Sequence, residues 1–231
     1  MDKEKVKAIL RKLLKALKIF IICSIILTVM EVGIGFWLLK TRWQLFVSKQ
    51  QMKEFASELT NSEPLPDNFL RIYKIIYPKH IDTSLSEMIF FNYVVRLISR
   101  DHNYDSKPHC FCDLIYDKQV RHNEKLKEID WVGRIVDLEY GFGLEKYTTP
   151  ENCFKYFMND QIRVLEGRLD SELFPYITRD QISSMTDDEI IELILLLKSH
   201  ERFNRFKNPD LFAKYLHEYK RKLEKAELKL K

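Results

Sequence analysis

The densest grouping of residues able to do acid/base or phosphate chemistry is the run Gln119-Val120-Arg121-His122-Asn123-Glu124-Lys125-Leu126-Lys127-Glu128. On a helix Glu124 and Glu128 share a face four residues apart, with Lys125 inside the same turn. A carboxylate beside an ammonium suits transfer from a phosphorylated sugar, where the acid deprotonates or orients a hydroxyl and the cation neutralises the departing phosphate. Charge pattern alone reads the same run as an exposed, salt-bridged helix face. No other constellation competes with it. The six histidines, His80, His102, His109, His122, His200 and His217, are scattered, and none pairs at helical spacing with a second ligand. Cys110-x-Cys112 with a distant Cys153 lacks zinc-site spacing. One disulfide to Cys153 and unpaired thiols both remain open. Gly141-Phe142-Gly143 is too short for a phosphate loop.

Any such chemistry is positioned by Ile19 to Leu39, an apolar run between Lys18 and Lys40 interrupted only by Ser24, Thr28, two glycines and Glu31. About 20 residues of helix span the roughly 30 Å hydrocarbon core of a bilayer, so one transmembrane helix is expected. Seven bases precede it (Lys3, Lys5, Lys7, Arg11, Lys12, Lys15 and Lys18), whereas Lys40, Arg42 and Lys49 follow more sparsely. The positive-inside bias leaves the N-terminus in the cytoplasm and exports the rest. The run exceeds a signal-peptide core and no small-x-small cleavage site follows Trp37, Leu38 and Leu39, so the anchor is expected to be retained. Trp37, Trp43 and Phe46 fit an interfacial aromatic belt.

The organisation that follows is a basic cytoplasmic tail over 1–18, the membrane helix over 19–39, a juxtamembrane helix and linker over 40–68, and one helical domain over 69–231. The whole chain carries a formal charge of +4, but beyond residue 40 thirty bases face thirty-one acids. Nucleic-acid binding has no charge support there. Trp43, Phe46, Val47, Met52 and Phe55 recur at helical spacing near the membrane. Pro64 and Pro66 mark the linker. Ser84-Leu85-Ser86-Glu87 and Thr186-Asp187-Asp188-Glu189 have capping-box spacing, the first leading into Met88 to Ile98 and the second into the apolar Ile190 to Leu197. Being apolar nearly all round, the second run should lie at the buried centre. From Pro209, Leu211, Phe212, Tyr215, Leu216, Tyr219 and Leu223 make one stripe of an amphipathic helix. Its basic face is solvated or meets anionic headgroups.

Several pieces together resemble the family 51 glycosyltransferases, the peptidoglycan polymerases of monofunctional transglycosylases and class A penicillin-binding proteins. Lys125-Leu126-Lys127-Glu128-Ile129, then Leu144-Glu145-Lys146-Tyr147-Thr148-Thr149-Pro150-Glu151, then Tyr156-Phe157-Met158-Asn159 are similar to R-K-x-x-E, L-E-x-x-[YF]-[ST]-K-x-E-I-L and Y-L-N. Lys118 to Asn123 is similar to Q-Q-L-x-K-N, and Met185 to Pro209 to the family's late helical segment. The pieces occur in family order over roughly Leu65 to Leu223, behind a single N-terminal anchor.

The resemblance implies a mainly α architecture, a lysozyme-like helical glycosyltransferase domain behind one membrane helix. It implies Glu128 as the catalytic carboxylate, with Lys125, Gln119, His80 and Asp82 as substrate-binding residues and a divalent metal ion at the diphosphate. The implied setting is the outer face of a bacterial inner membrane, with the bilayer, a lipid-linked sugar precursor or glycan strand, and an envelope protein as partners. The chain also departs from the family. Where E-D-x-x-F-x-x-H-x-G-i-D carries the base, this sequence reads "LRIYKIIYPKHID": Arg71 or its neighbours stand in place of the Glu, and no acid lies between Asp67 and Asp82. Two readings follow, a diverged polymerase and an inactive binding or scaffold module on the same fold.

Overall fold

The computed structural model describes residues 3–45, 47–95, 108–115, 130–168, 179–199 and 201–230. Among them the architecture is mainly helical, with no strand. Helix α1 runs unbroken from Lys3 to Thr41. Its large apolar side chains from Ile19 to Val32 are between 48% and 69% exposed, an arrangement water would penalise and hydrocarbon would not. It is the one helix among the described residues long and apolar enough to cross a membrane.

After a 3₁₀ turn over Arg42–Leu45, Ser48 caps helix α2 (Lys49–Asn61) through a reciprocal box with Gln51. The expected juxtamembrane amphipathic helix is therefore split, with Trp43 in the turn before the cap and Met52, Ala56 and Leu59 on the buried stripe of α2. Helix α3 (Asp67–Ile76) buries Phe69, Ile72, Tyr73 and Ile76 and stops at Tyr77, where Pro78 disfavours further helical backbone. The Ser84–Glu87 capping box forms and starts α4 (Leu85–Ile89), but the helix then widens into a π-helical turn over Phe90–Val95.

Helix α5 (Asp130–Leu144) lies against α1 and the 3₁₀ turn, and α6 (Pro150–Arg168) against α2. A short α7 (Arg179–Ile182) precedes α8 (Asp187–Lys198), which Thr186 caps with its own box to Glu189. Helix α8 buries Ile190, Ile191, Leu193, Ile194, Leu195 and Leu196, so almost every face meets another element: α3, α6 and α9 (Pro209–Leu230). It is the centre its sequence implies. The stripe of α9 buries Phe212, Tyr219 and Leu223. The Tyr219 and Tyr77 hydroxyls meet at 2.5 Å, and Lys198 Nζ donates to Tyr219 at 3.2 Å.

Candidate functional site

Three residues brought together from distant parts of the chain form the most reactive-looking centre of the described structure. Cys110 is fully buried, and its thiol points at Glu145 Oε1 from 3.6 Å. The same carboxylate oxygen accepts the backbone N–H of Leu85 at 2.5 Å, so Glu145 fastens the first turn of α4 to the end of α5. Beside them Cys112 is disulfide-bonded to Cys153 on α6, which decides the pairing that spacing left open. Burial raises the proton affinity of Glu145, against the Leu85 N–H, the Cys110 thiol and nearby Lys40, which favour its charged form. Burial, reinforced by the Glu145 charge, pushes the Cys110 thiol far above its ordinary range. At neutral pH Cys110 is a protonated, protected thiol, the opposite of an activated nucleophile.

Cys110, Cys112 and Glu145 are also the one set of converging donors among the described residues that could hold a metal, their ligand atoms within 4.8 Å of one another. The set does not suit the divalent ion expected at a diphosphate. Such an ion takes oxygen ligands, and here two donors are sulfur, one already committed to a disulfide.

His80 and Asp82, neighbours in the sequence, part company in the fold. His80 is buried, stacked on the Tyr77 ring with centroids 4.6 Å apart; its Nδ1 lies 3.4 Å from the Tyr73 hydroxyl, and the His109 ring is 5.5 Å away. Asp82 faces solvent. Burial lowers the proton affinity of His109, so this end of the aromatic cluster favours neutral imidazole. Gln119, Lys125 and Glu128 lie outside the described residues. The stretch from Glu128 to Glu145, longer than the family pattern, is largely α5.

Where the resemblance would put a catalytic base, α3 carries Arg71, and its one acid, Asp67, lies a turn earlier on an exposed position. Its inward positions Tyr73, Ile76 and Tyr77 are buried, Tyr73 packing on Phe69, Phe154 and Tyr77. On the outer side, Arg71 Nη2 donates to both carboxylate oxygens of Asp187 at 2.6 and 2.8 Å, while Nη1 lies 3.7 Å from Glu227. Aromatic packing fills the inner face of the segment, and the outer face carries solvent-exposed ion pairs.

A more open surface lies between the C-terminal end of α2 and α6. Glu58, Asn61, Ser62, Glu63, Tyr156, Asn159, Asp160 and Arg163 line a cavity of about 340 Å³. Asn159 Nδ2 donates to the Glu63 carbonyl at 2.8 Å, and the Tyr156 hydroxyl to Glu58 at 3.4 Å. Amides, carboxylates, a guanidinium and one aromatic ring are the side-chain types that bind sugar hydroxyls. Of these residues, only Tyr156 and Asn159 stand in a motif singled out by sequence. The rest carry no local signal, because a groove between two helices is a property of their packing.

No protein family, curated protein or solved structure matches this chain. The reading of its function therefore rests on its own residues.

Proposed function

We propose that this chain is a single-pass, membrane-anchored helical module that binds a lipid-linked sugar or glycan strand at the outer face of a bacterial inner membrane, on a glycosyltransferase-like scaffold that does not polymerise. The observation that carries the reading is what stands at the expected base position: Tyr73, Ile76 and Tyr77 fill the interior, and Arg71 pairs with Asp187 on the surface. General-base assistance is worth about 10²–10⁴-fold in such a transfer, and no carboxylate stands between Asp67 and Asp82 to supply it. The groove of Tyr156, Asn159 and Arg163 is the binding surface in this reading, with an envelope protein as a further partner.

A diverged polymerase is the second reading, and Glu145 favours it. It is a carboxylate with raised proton affinity next to a basic residue, as acid/base catalysis requires. Labelled lipid-linked disaccharide separates the two. The binding module retains precursor without extending it, and Tyr156→Ala with Asn159→Ala abolishes retention. Polymer formed by the wild type and lost in Glu128→Gln or Glu145→Gln would establish the enzyme instead.

A further inference from the structure

We propose that the four bases ringing the exit of α1 from the bilayer, Lys40, Arg42, Lys53 and Lys146, form a binding collar for the phosphates of anionic phospholipid headgroups. The proposal rests on α1 crossing the membrane, which places its C-terminal end and the turn after it at headgroup depth.

The collar is one connected piece of structure. Lys40 Nζ lies 4.8 Å from the Phe36 ring centroid and 5.5 Å from that of Phe142, which themselves meet edge to face at 5.4 Å. Lys146 Nζ is 5.5 Å from the ring of Trp43, Trp43 meets Tyr147 at 6.2 Å, and Lys53 Nζ is 5.7 Å from Tyr147. Trp43, expected in the interfacial belt, is instead only 1% exposed and forms the collar's floor, whereas Trp37 is 63% exposed on α1. Aromatic rings under the Lys40, Lys53 and Lys146 ammonium groups fix where those groups stand at little entropic cost.

Two of the acids of this region, Glu139 and Glu145, are withdrawn from solvent, whereas Glu54 is exposed. Arg42 is half exposed, while Glu139, its partner at 3.6 Å, is 2% exposed. Glu145, near Lys40, is half-buried, and Glu54 beside Lys53 accepts from Gln50 Nε2 at 2.9 Å. Burial also raises the proton affinity of both Glu139 and Glu145. Leu45, 73% exposed at the end of the turn, stands where acyl chains begin. The occupant is phospholipid rather than a sugar diphosphate because the bases surround an emerging helix, while the sugar-sized cavity lies between α2 and α6.

The full chain is reconstituted in nanodiscs of phosphatidylcholine containing a minority of phosphatidylglycerol, and the lipid it retains on release is counted by native mass spectrometry. Phosphatidylglycerol is expected to be enriched about fivefold or more over its bulk fraction at low salt, and less at high salt. Changing Lys40, Arg42, Lys53 and Lys146 together to Gln lowers the enrichment at least twofold, the remainder belonging to the seven bases before the span, and an enrichment left unchanged overturns the collar. Changing Lys214, Arg221, Lys225 and Lys229 on α9 to Gln leaves it enriched. The salt titration of the wild type and the milder Lys53→Gln, Lys146→Gln pair keep the test decisive if the fourfold variant misfolds. Enrichment absent from the wild type, or lost only in the α9 variant, overturns the collar. Alkaline carbonate separates this from a failed anchor: protein washed off the membrane overturns the span, whereas protein that stays but shows no enrichment overturns the collar alone.

Discussion

The Cys110 thiol and the Glu145 carboxylate meet across 3.6 Å, although thirty-five positions separate them in the chain. Their contact sits beside the Cys112–Cys153 disulfide, so a loop before α5, the end of α5 and the start of α6 converge on one buried point. Alkylation follows directly. Without reductant, denatured protein should label at Cys23 and Cys110 alone, and Cys110 of the folded protein should resist reagent that reaches it after unfolding, as peptide mapping would show.

Removing the disulfide should be costly. It closes a loop with a sequence separation of 41, for which the chain-entropy argument gives about 4 kcal/mol. Cys153→Ser should lower the denaturant midpoint accordingly under oxidising conditions and leave stability nearly unchanged in excess dithiothreitol, where the wild type loses the same amount.

Glu139 is expected to weaken the fold at neutral pH. Its side chain is 2% exposed, Oε2 has no hydrogen-bond partner, and burial raises its pKa despite Arg42 at 3.6 Å. Because the folded pKa lies above the unfolded one, its favourable contribution is complete below the ordinary carboxylate value and is lost as pH rises through the folded pKa. Glu139→Gln should therefore stabilise the protein by on the order of 1 kcal/mol at neutral pH. The advantage should vanish in acid, a pattern that parallel melts across pH would reveal.

Gly143 marks the closest approach of α5 to the turn after the membrane helix. A Cβ there would lie 2.7 Å from Met52 Cε and 2.8 Å from Trp43 Cδ2. The methionine tip can swing away, but the indole is held against Tyr147. Gly143→Ala should cost about 1–3 kcal/mol and raise the exposure of Trp43, seen as a red shift of its fluorescence against a Trp37→Phe, Trp131→Phe background.

Tyr219 ties the last helix to the domain through its hydroxyl, which meets Tyr77 and accepts from Lys198. Tyr219→Phe keeps the ring contacts and should lower stability by about 1–2 kcal/mol. An unchanged midpoint would mean that apolar burial along α9 suffices to dock it.

Features with a local cause were legible in the residues themselves. The long apolar helix α1 follows from a run broken only by Ser24, Thr28, two glycines and Glu31, the two capping boxes from a hydroxyl and a carboxylate three residues apart, and the buried centre from Ile190 to Leu197, apolar on nearly every face. The amphipathic stripe of α9 likewise names the side that packs. Nothing local predicted that the helix begun at Ser84 would widen into a π turn after Ile89, whereas the break of the juxtamembrane helix at Ser48 has a local cause in the Ser48–Gln51 capping box.

Other features exist only where the chain meets itself. Cys112 could pair with Cys153 or remain a thiol until α6 was placed beside it. His80 and Asp82 are two residues apart, yet one entered an aromatic stack and the other faced water, because the turn after α3 brings only His80 against Tyr73 and Tyr77. Trp43 had the composition of an interfacial residue, and the close approach of Gly143 made it core. The sequence alone determined a mainly helical protein with one helix long and apolar enough to cross a membrane and a nearly neutral chain after it, since hydrophobic run length and charge need no partner to act. Burial, proton affinity and the packing of the inner face of α3 were decided by tertiary structure, because each depends on which distant side chains exclude water from a group.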